Sequence, residues 1–412
     1  MYSATAKGLL SLAEQRLFNT GLFITTSIKI SPVDSIYSDL IVTVKERFYT
    51  YPNLIFELAD RNFNEWWTLH HHNLRRTNYG FVISQKNVRG RNETLKLRLQ
   101  GGLVRKAELF YNFPYIHKKQ RAGLGLALSF ISTPSVAYTL SRNKLVNTHG
   151  DHWLENRFYT GLKGVYRNKY YSWHYLNILF NMRTIANDVQ ELNNNYLGKN
   201  KTKIRYLTLG YTFSRDKRDF QYYPLKGNYF KTELQKNGIG LLGSLNTFSA
   251  RFEYARYFDL GKNFFFASGA TGLFSVPLNQ PFFLLPAMGF GNDVVRGYEL
   301  YVVKGQAYGI LKNSLKYRFL QHTFHINWLP VKQFMTIPFA IYLTANADAG
   351  YVWDKYHMPE NALFANRLLP GGGMGLDFVT FYDVVIRTEY SINSRGECGF
   401  YLSFAAAIGG KR

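Results

Sequence analysis

From Pro52 onward the chain keeps returning to a strict two-residue alternation of apolar and polar side chains. In "TLKLRLQ" Leu95, Leu97 and Leu99 share one face, and Thr94, Lys96, Arg98 and Gln100 share the other. "RYLTLGYTF" (205–213), "TFSARFEYA" (247–255) and "GILKNSLKYRF" (309–319) repeat the pattern. Period two is the signature of a strand with one greasy and one polar face. About sixteen such segments are centred near residues 57, 81, 96, 108, 127, 160, 177, 209, 232, 252, 268, 313, 343, 375, 387 and 403. The number is even, as in single-chain bacterial outer-membrane barrels. No run approaches the roughly 18 apolar residues of a spanning helix, which excludes a helical membrane protein. A soluble sandwich would also alternate. It would not need 31 tyrosines and 33 phenylalanines ringing the apolar face. The expected fold is therefore all-β: a 16-stranded transmembrane β-barrel over residues 52–412, with short and long connections in turn.

Residues 1–51 follow another pattern. Ala6, Leu9, Leu10, Ala13 and Leu17 lie on one face of a helix over 4–19, with Gly21 as its stop. Two strands follow, carrying Ile24, Ile28 and Ile30, then Leu40, Val42 and Val44, with Pro32 and Asp34 in the turn. This small α+β segment has too little core to stand alone, so it is expected to be incomplete or docked. Its first residues carry Glu14 and no continuous apolar core, unlike a signal peptide; if the protein crosses an inner membrane, the leader is missing from this chain.

One cysteine, Cys398, allows no internal disulfide and no cysteine metal site. The net charge of +23 suits nucleic acid, an anionic membrane surface or phosphorylated lipid. The bases are scattered rather than blocked, which argues against nucleic acid. His70, His71 and His72 alternate faces on a strand and read as an interfacial or loop tract rather than a metal site. Asp151, His152 and Glu155 have no nucleophile at fixed spacing. No nucleophile elbow, phosphate loop or H-E-x-x-H occurs, so no cofactor, metal or enzymatic activity is expected.

Between two alternating stretches lies "GFGNDVVRGYELYVVKG" (289–305), with a permanent cation, Arg296, flanked by Val295 and Gly297. Face parity offers it partners. Leu343, Ala345 and Ala347 point outward, which turns Asp348 into the lumen. Met374, Leu376 and Phe378 outward leave Asp377 inside, and Val384, Ile386 and Tyr390 outward leave Arg387 and Glu389 inside. A loop folded back into the lumen would bring Arg296 to one or two of Asp348, Asp377 and Glu389 in a charge-assisted pair. An exposed loop arginine with unrelated lumen acids fits the spacing equally. Inward Lys312, Lys316 and Arg318 would make an anion-selective wall or pair with loop acids.

"VVRGY" (294–298), "ADAGYVWD" (347–354), "GGGMGLDF" (371–378) and "RDKRDFQYYPLKGNYF" (215–230) resemble signature segments of the outer-membrane protein-assembly superfamily that includes BamA and TamA. The segment "LAEQRLFNTGLFITTSIKI" with "LIVTVKER" resembles the C-terminal part of a polypeptide-transport-associated (POTRA) domain. The resemblance covers nearly the whole chain. It implies that Arg296, Gly297 and Tyr298 form the loop anchor and that Arg296 pairs with Asp348. A full POTRA domain would begin with a strand and helix absent here, and many relatives close on an aromatic residue where this chain runs "YLSFAAAIGGKR".

The resemblance implies a Gram-negative outer-membrane barrel, among lipids and lipopolysaccharide, that helps nascent outer-membrane proteins insert, with accessory lipoproteins as further partners. Insertion would exploit a weak seam between the first strand, "NLIFELADR" (53–61), and the last, "GFYLSFAAAI" (399–408), with Phe56, Phe404 and Ala406 flanking it. The alternative is a passive anion-permeable channel. An outer-membrane hydrolase is a third reading, without a recognisable nucleophile.

Overall fold

A computed structural model describes residues 9–404 apart from 12, 15–16, 18–21, 35–36, 47, 118–119, 170, 240–244, 326–335 and 381–383. The described residues between Leu9 and Leu17 are helical, and Glu14 accepts a 2.6 Å hydrogen bond from the backbone of Ile28. Strands β1 (Phe23–Pro32) and β2 (Ser38–Glu46) form an antiparallel pair with Ile28 opposite Val42 and Ile30 opposite Leu40.

The large sheet begins with β3 (Thr50–Leu58), β4 (Thr77–Lys86), β5 (Thr94–Gly102), β6 (Arg105–Phe113) and β7 (Ala122–Thr133). A small hairpin, β8 (Ser135–Ser141) and β9 (Lys144–His149), intervenes before β10 (Glu155–Lys169), β11 (Ser172–Ile185) and β12 (Lys203–Asp216). Then come β13 (Gly227–Asn237), β14 (Thr247–Gly261) and β15 (Phe264–Val276). A two-residue hairpin of β16 (Ala287–Met288) and β17 (Val303–Lys304) precedes β18 (Ala307–His325) and β19 (Thr336–Trp353). The last three are β20 (Leu368–Thr380), β21 (Val385–Asn393) and β22 (Cys398–Phe404). Two short helices, α1 (Phe63–Thr68) and α2 (Asn187–Leu192), lie in connections.

Sixteen of these strands make one antiparallel sheet running in chain order from β3 to β22, and each contains one of the alternating segments. The small hairpins sit in loops and are too short to announce themselves by periodicity. Antiparallel order puts the long connections 59–76, 134–154, 186–202, 277–306 and 354–367 at one end, with turns such as 262–263 at the other.

The faces are inverted relative to a water-soluble sheet. Leu128, Phe130, Leu162, Ile178, Leu209, Leu311 and Leu343 are exposed, whereas Ser129, Thr208, Ser314, Thr344, Asn346 and Ser391 are buried. Such a wall suits hydrocarbon outside and a polar packed interior. The interior core is built largely by the 277–306 loop: Met288, Val295, Tyr298 and Val303 pack with Tyr308, Ile310, Val352, Phe364 and Leu369.

No ladder joins β3 to β22 among the described residues. Leu54 is 92% exposed and Phe56 76%, against 44% for Leu128, which has strands on both sides. The expected pairing of the first and last strands is therefore not formed over these residues, and Ala406 lies outside them. A side chain with a neighbouring strand on only one side loses half its lateral cover, which accounts for the exposure of β3.

Candidate functional site

The 277–306 loop folds back into the interior because the wall makes room for it. Gly350 faces Val295, where a Cβ would stand 2.6 Å from Val295 Cγ2, and a Cβ at Gly371 would collide with the Arg296 carbonyl. Gly297 takes φ +85°, and a Cβ there would lie 2.7 Å from the Ile392 carbonyl carbon. Glycine meets both demands at once. The loop backbone is thereby held close enough for Asn393 Nδ2 to donate to the Gly297 carbonyl at 3.0 Å.

Arg296 sits between two carboxylates on different strands. Its Nη1 donates to Asp348 Oδ1 on β19 at 2.8 Å, and its Nε to Glu389 Oε1 on β21 at 2.7 Å. The Arg296 backbone N–H also reaches Asp348 Oδ2 at 3.3 Å. Asn346 Nδ2 donates to the same Glu389 oxygen at 2.8 Å, fixing its orientation. All three charged side chains are at least nine-tenths buried, so solvent screening is weak. Beside them the Tyr298 hydroxyl lies 2.8 Å from Ser394 Oγ, and its ring meets Phe364 edge-on at 5.1 Å.

Of the three candidate acids, Asp348 and Glu389 meet Arg296 and Asp377 does not. Asp377 accepts from Arg387 Nε at 2.8 Å and from the Tyr223 hydroxyl at 2.9 Å. The reason is depth. Asp377 pairs across the sheet with Arg387, whereas Glu389 lies opposite Gly375 and Asp348 opposite Gly371. Two residues further along β20 is about 7 Å. The loop enters from the opposite end and stops short of that level.

Further contacts hold the loop and the wall, and those of Arg251 and Arg61 lie outside the residues that the sequence pattern singles out. Arg251 on β14 pairs with Asp293 of the loop, Nη2 donating to Oδ1 at 2.8 Å, and the Tyr308 hydroxyl donates to the same carboxylate at 2.6 Å. A signal for this pair exists, since Arg251 falls on the polar face of its strand and Asp293 in the loop motif. Lys312 Nζ donates to the Asn292 carbonyl at 2.8 Å. Lys316 Nζ lies 3.8 Å from the centre of the Tyr223 ring, and Arg318 donates to Asn263 Oδ1 at 2.6 Å. From the first long loop, Arg61 donates to the Tyr301 carbonyl at 3.0 Å, to Glu299 O at 3.2 Å and to Gly289 O.

A cavity of about 710 Å³ lies between the loop, α1 and β22, with Arg61, Asn64, Arg296, Glu299, Glu389 and Leu402 in its lining. Burial pushes the Glu299 carboxyl up to about 7, and Oε2 has no hydrogen-bond partner among the described residues. His70 stands 3.5 Å from Asp60, with His71 and His72 following in the same loop. Glu155 faces Arg183 at 3.3 Å and His152 faces Asp188 at 3.6 Å, so "GDHWLEN" is divided between two ion pairs.

The chain is similar in fold to BamA from Haemophilus ducreyi lacking POTRA domains 1–3, at 15% identity over 96% of this chain and 76% of that one, with TM-score 0.66. It is also similar to CdiB from Acinetobacter baumannii (14% identity, 96% of this chain, 67% of that one, TM-score 0.54). CdiB from Escherichia coli gives 12% identity, 93% and 67% coverage and TM-score 0.55. Identities this low establish the fold alone. No curated protein sequence matches the chain. Residues 87–380, well over half of the sequence, match the Omp85 superfamily domain, and the chain belongs to that superfamily.

Proposed function

We propose that this chain is an outer-membrane barrel that assists the insertion and assembly, or the translocation, of outer-membrane proteins through the seam between β3 and β22. The observation that carries the reading is the pair of edges with no ladder between them among the described residues, β3 with Leu54 and Phe56, β22 with Phe400 and Phe404, all strongly exposed. An open strand edge in hydrocarbon leaves N–H and C=O groups without partners, and an incoming strand supplies them. The loop held by Arg296 keeps the lumen filled while the seam works. Residues 1–51 act as a partial POTRA segment on the periplasmic side, and 52–412 form the barrel in contact with lipid and lipopolysaccharide. Nascent outer-membrane proteins are the clients, with accessory lipoproteins as further partners.

The rival reading is passive anion permeation. Against it stand the several anchors of the inward loop and the engagement of Lys312 and Lys316 with the loop and with Tyr223. The test is reconstitution into vesicles, followed by addition of a urea-unfolded outer-membrane protein. Faster folding of that protein than in empty vesicles supports assembly. No acceleration together with steady anion-selective conductance overturns it in favour of the channel.

A further inference from the structure

Helix α1 touches the open edge of β22 in an unusual way. Asn64 Nδ2 donates to the Leu402 carbonyl at 3.2 Å, and Asn64 Oδ1 accepts from the Leu402 N–H at 3.0 Å. One side-chain amide thus makes both hydrogen bonds that a neighbouring strand would make to that residue. Asn64 is 7% exposed, so the bonds are sheltered from water. Phe63 packs edge-on to Phe404 at 6.3 Å beside it. The base of the helix is tied to the inward loop: Arg61 donates to three of its carbonyls, and Asn62 Nδ2 donates to Glu299 O at 3.0 Å.

We propose that Asn64 is a place-holder for a β-strand: its amide occupies the Leu402 backbone site at which an extended polypeptide from a client docks on β22. The inference rests on the seam reading and adds its register and its competitor. A docking strand must displace the amide, so Leu402 marks where pairing on this edge is contested. Lifting α1 away also pulls on the carbonyls of Gly289, Glu299 and Tyr301, which flank Arg296 in sequence. Edge occupancy and the seating of the inward loop are thereby linked through one short helix. The bonds span 338 residues of sequence, so they act only in the folded wall.

The test compares the full-length protein with Asn64→Leu and Asn64→Asp in detergent micelles. Leucine has the shape without the amide, whereas aspartate keeps the acceptor for the Leu402 N–H and loses the donor to its carbonyl. Hydrogen–deuterium exchange in the fragment containing Leu402 should quicken at least tenfold in Asn64→Leu and stay near wild type in Asn64→Asp. Unchanged exchange in Asn64→Leu overturns the place-holder whether or not the protein assembles anything. The second readout is anisotropy of a fluorescent peptide with the sequence of Thr50–Leu58, an extended strand of this chain. Two bonds of ordinary strength make its affinity about tenfold tighter for Asn64→Leu and about threefold tighter for Asn64→Asp. If Asn64→Leu does not fold, the Asn64→Asp affinity alone decides. Faster exchange without tighter binding also overturns the proposal. Both readouts as expected, with no acceleration of folding in vesicles, uphold the competitor and reject assembly as the function.

Discussion

Replacing Arg296 by alanine removes two charge-assisted hydrogen bonds and leaves Asp348 and Glu389 buried without their shared cation. Each such bond contributes about 1.5–3 kcal/mol, and removing one partner of a buried pair costs on the order of 3–5 kcal/mol. Asn346 still donates to Glu389, so that carboxylate keeps one bond, whereas Asp348 loses its contact with the Arg296 side chain. A loss of about 4 kcal/mol is expected. Urea titration in micelles, following the gel band that changes mobility on boiling, measures it in each variant. The decisive quantity is coupling. Arg296→Ala combined with Asp348→Asn or with Glu389→Gln should fall short of additivity by about 1–3 kcal/mol, because each pair shares a contact. Combined with Asp377→Asn it should add within about 0.5 kcal/mol, because Asp377 is satisfied by Arg387 and Tyr223. Additivity with Asp348 and Glu389, or equal coupling to Asp377, would refute the pairing.

Gly297→Ala should impair folding, since it meets both a left-handed φ and the Ile392 backbone, whereas Gly291→Ala, at φ +56° with open space around it, should cost about 1 kcal/mol, read by the same titration. Arg251→Ala together with Arg296→Ala should release the loop and raise single-channel conductance well beyond either change alone. Glu299 retains its proton in the fold up to about 7, against an ordinary value of 4.5, so the folded state binds more protons across that window and stability falls as pH rises through it. Glu299→Gln should flatten that slope in urea titrations run from pH 5 to pH 8.

The wall is legible in the sequence because a period of two, kept over segment after segment, arises in few ways except from two-faced strands; even the glycine-rich "GGGMGLDF" shows its parity through Met374 and Asp377. Parity names the face of a residue but not its depth. Asp348, Asp377 and Glu389 are therefore equivalent by pattern, and only the ladder register separates Asp377 from the other two. Arg251 is visible as an inward base without a reason to prefer Asp293. Arg61, read from the sequence as the end of the first strand, lies beyond β3, and neither its bonds to the inward loop nor those of Asn64 to Leu402 carry a signal, since these partners lie more than two hundred residues away. Closure implies a ladder between β3 and β22; among the described residues none forms, and β3 stands exposed.

The seam can be interrogated directly by placing a photo-cross-linking residue at Phe56, at Phe404, at Leu209 on the outer face halfway round the wall, or at Glu233 on its inner face, and irradiating cells that are exporting outer-membrane proteins. Leu209 reports general lipid-side encounters and Glu233 reports passage through the lumen. Adducts with nascent outer-membrane proteins from Phe56 and Phe404, and none from Leu209 or Glu233, are the result expected of a working seam. Adducts from Glu233 alone, with the two seam positions silent, would contradict it and assign the traffic to the lumen.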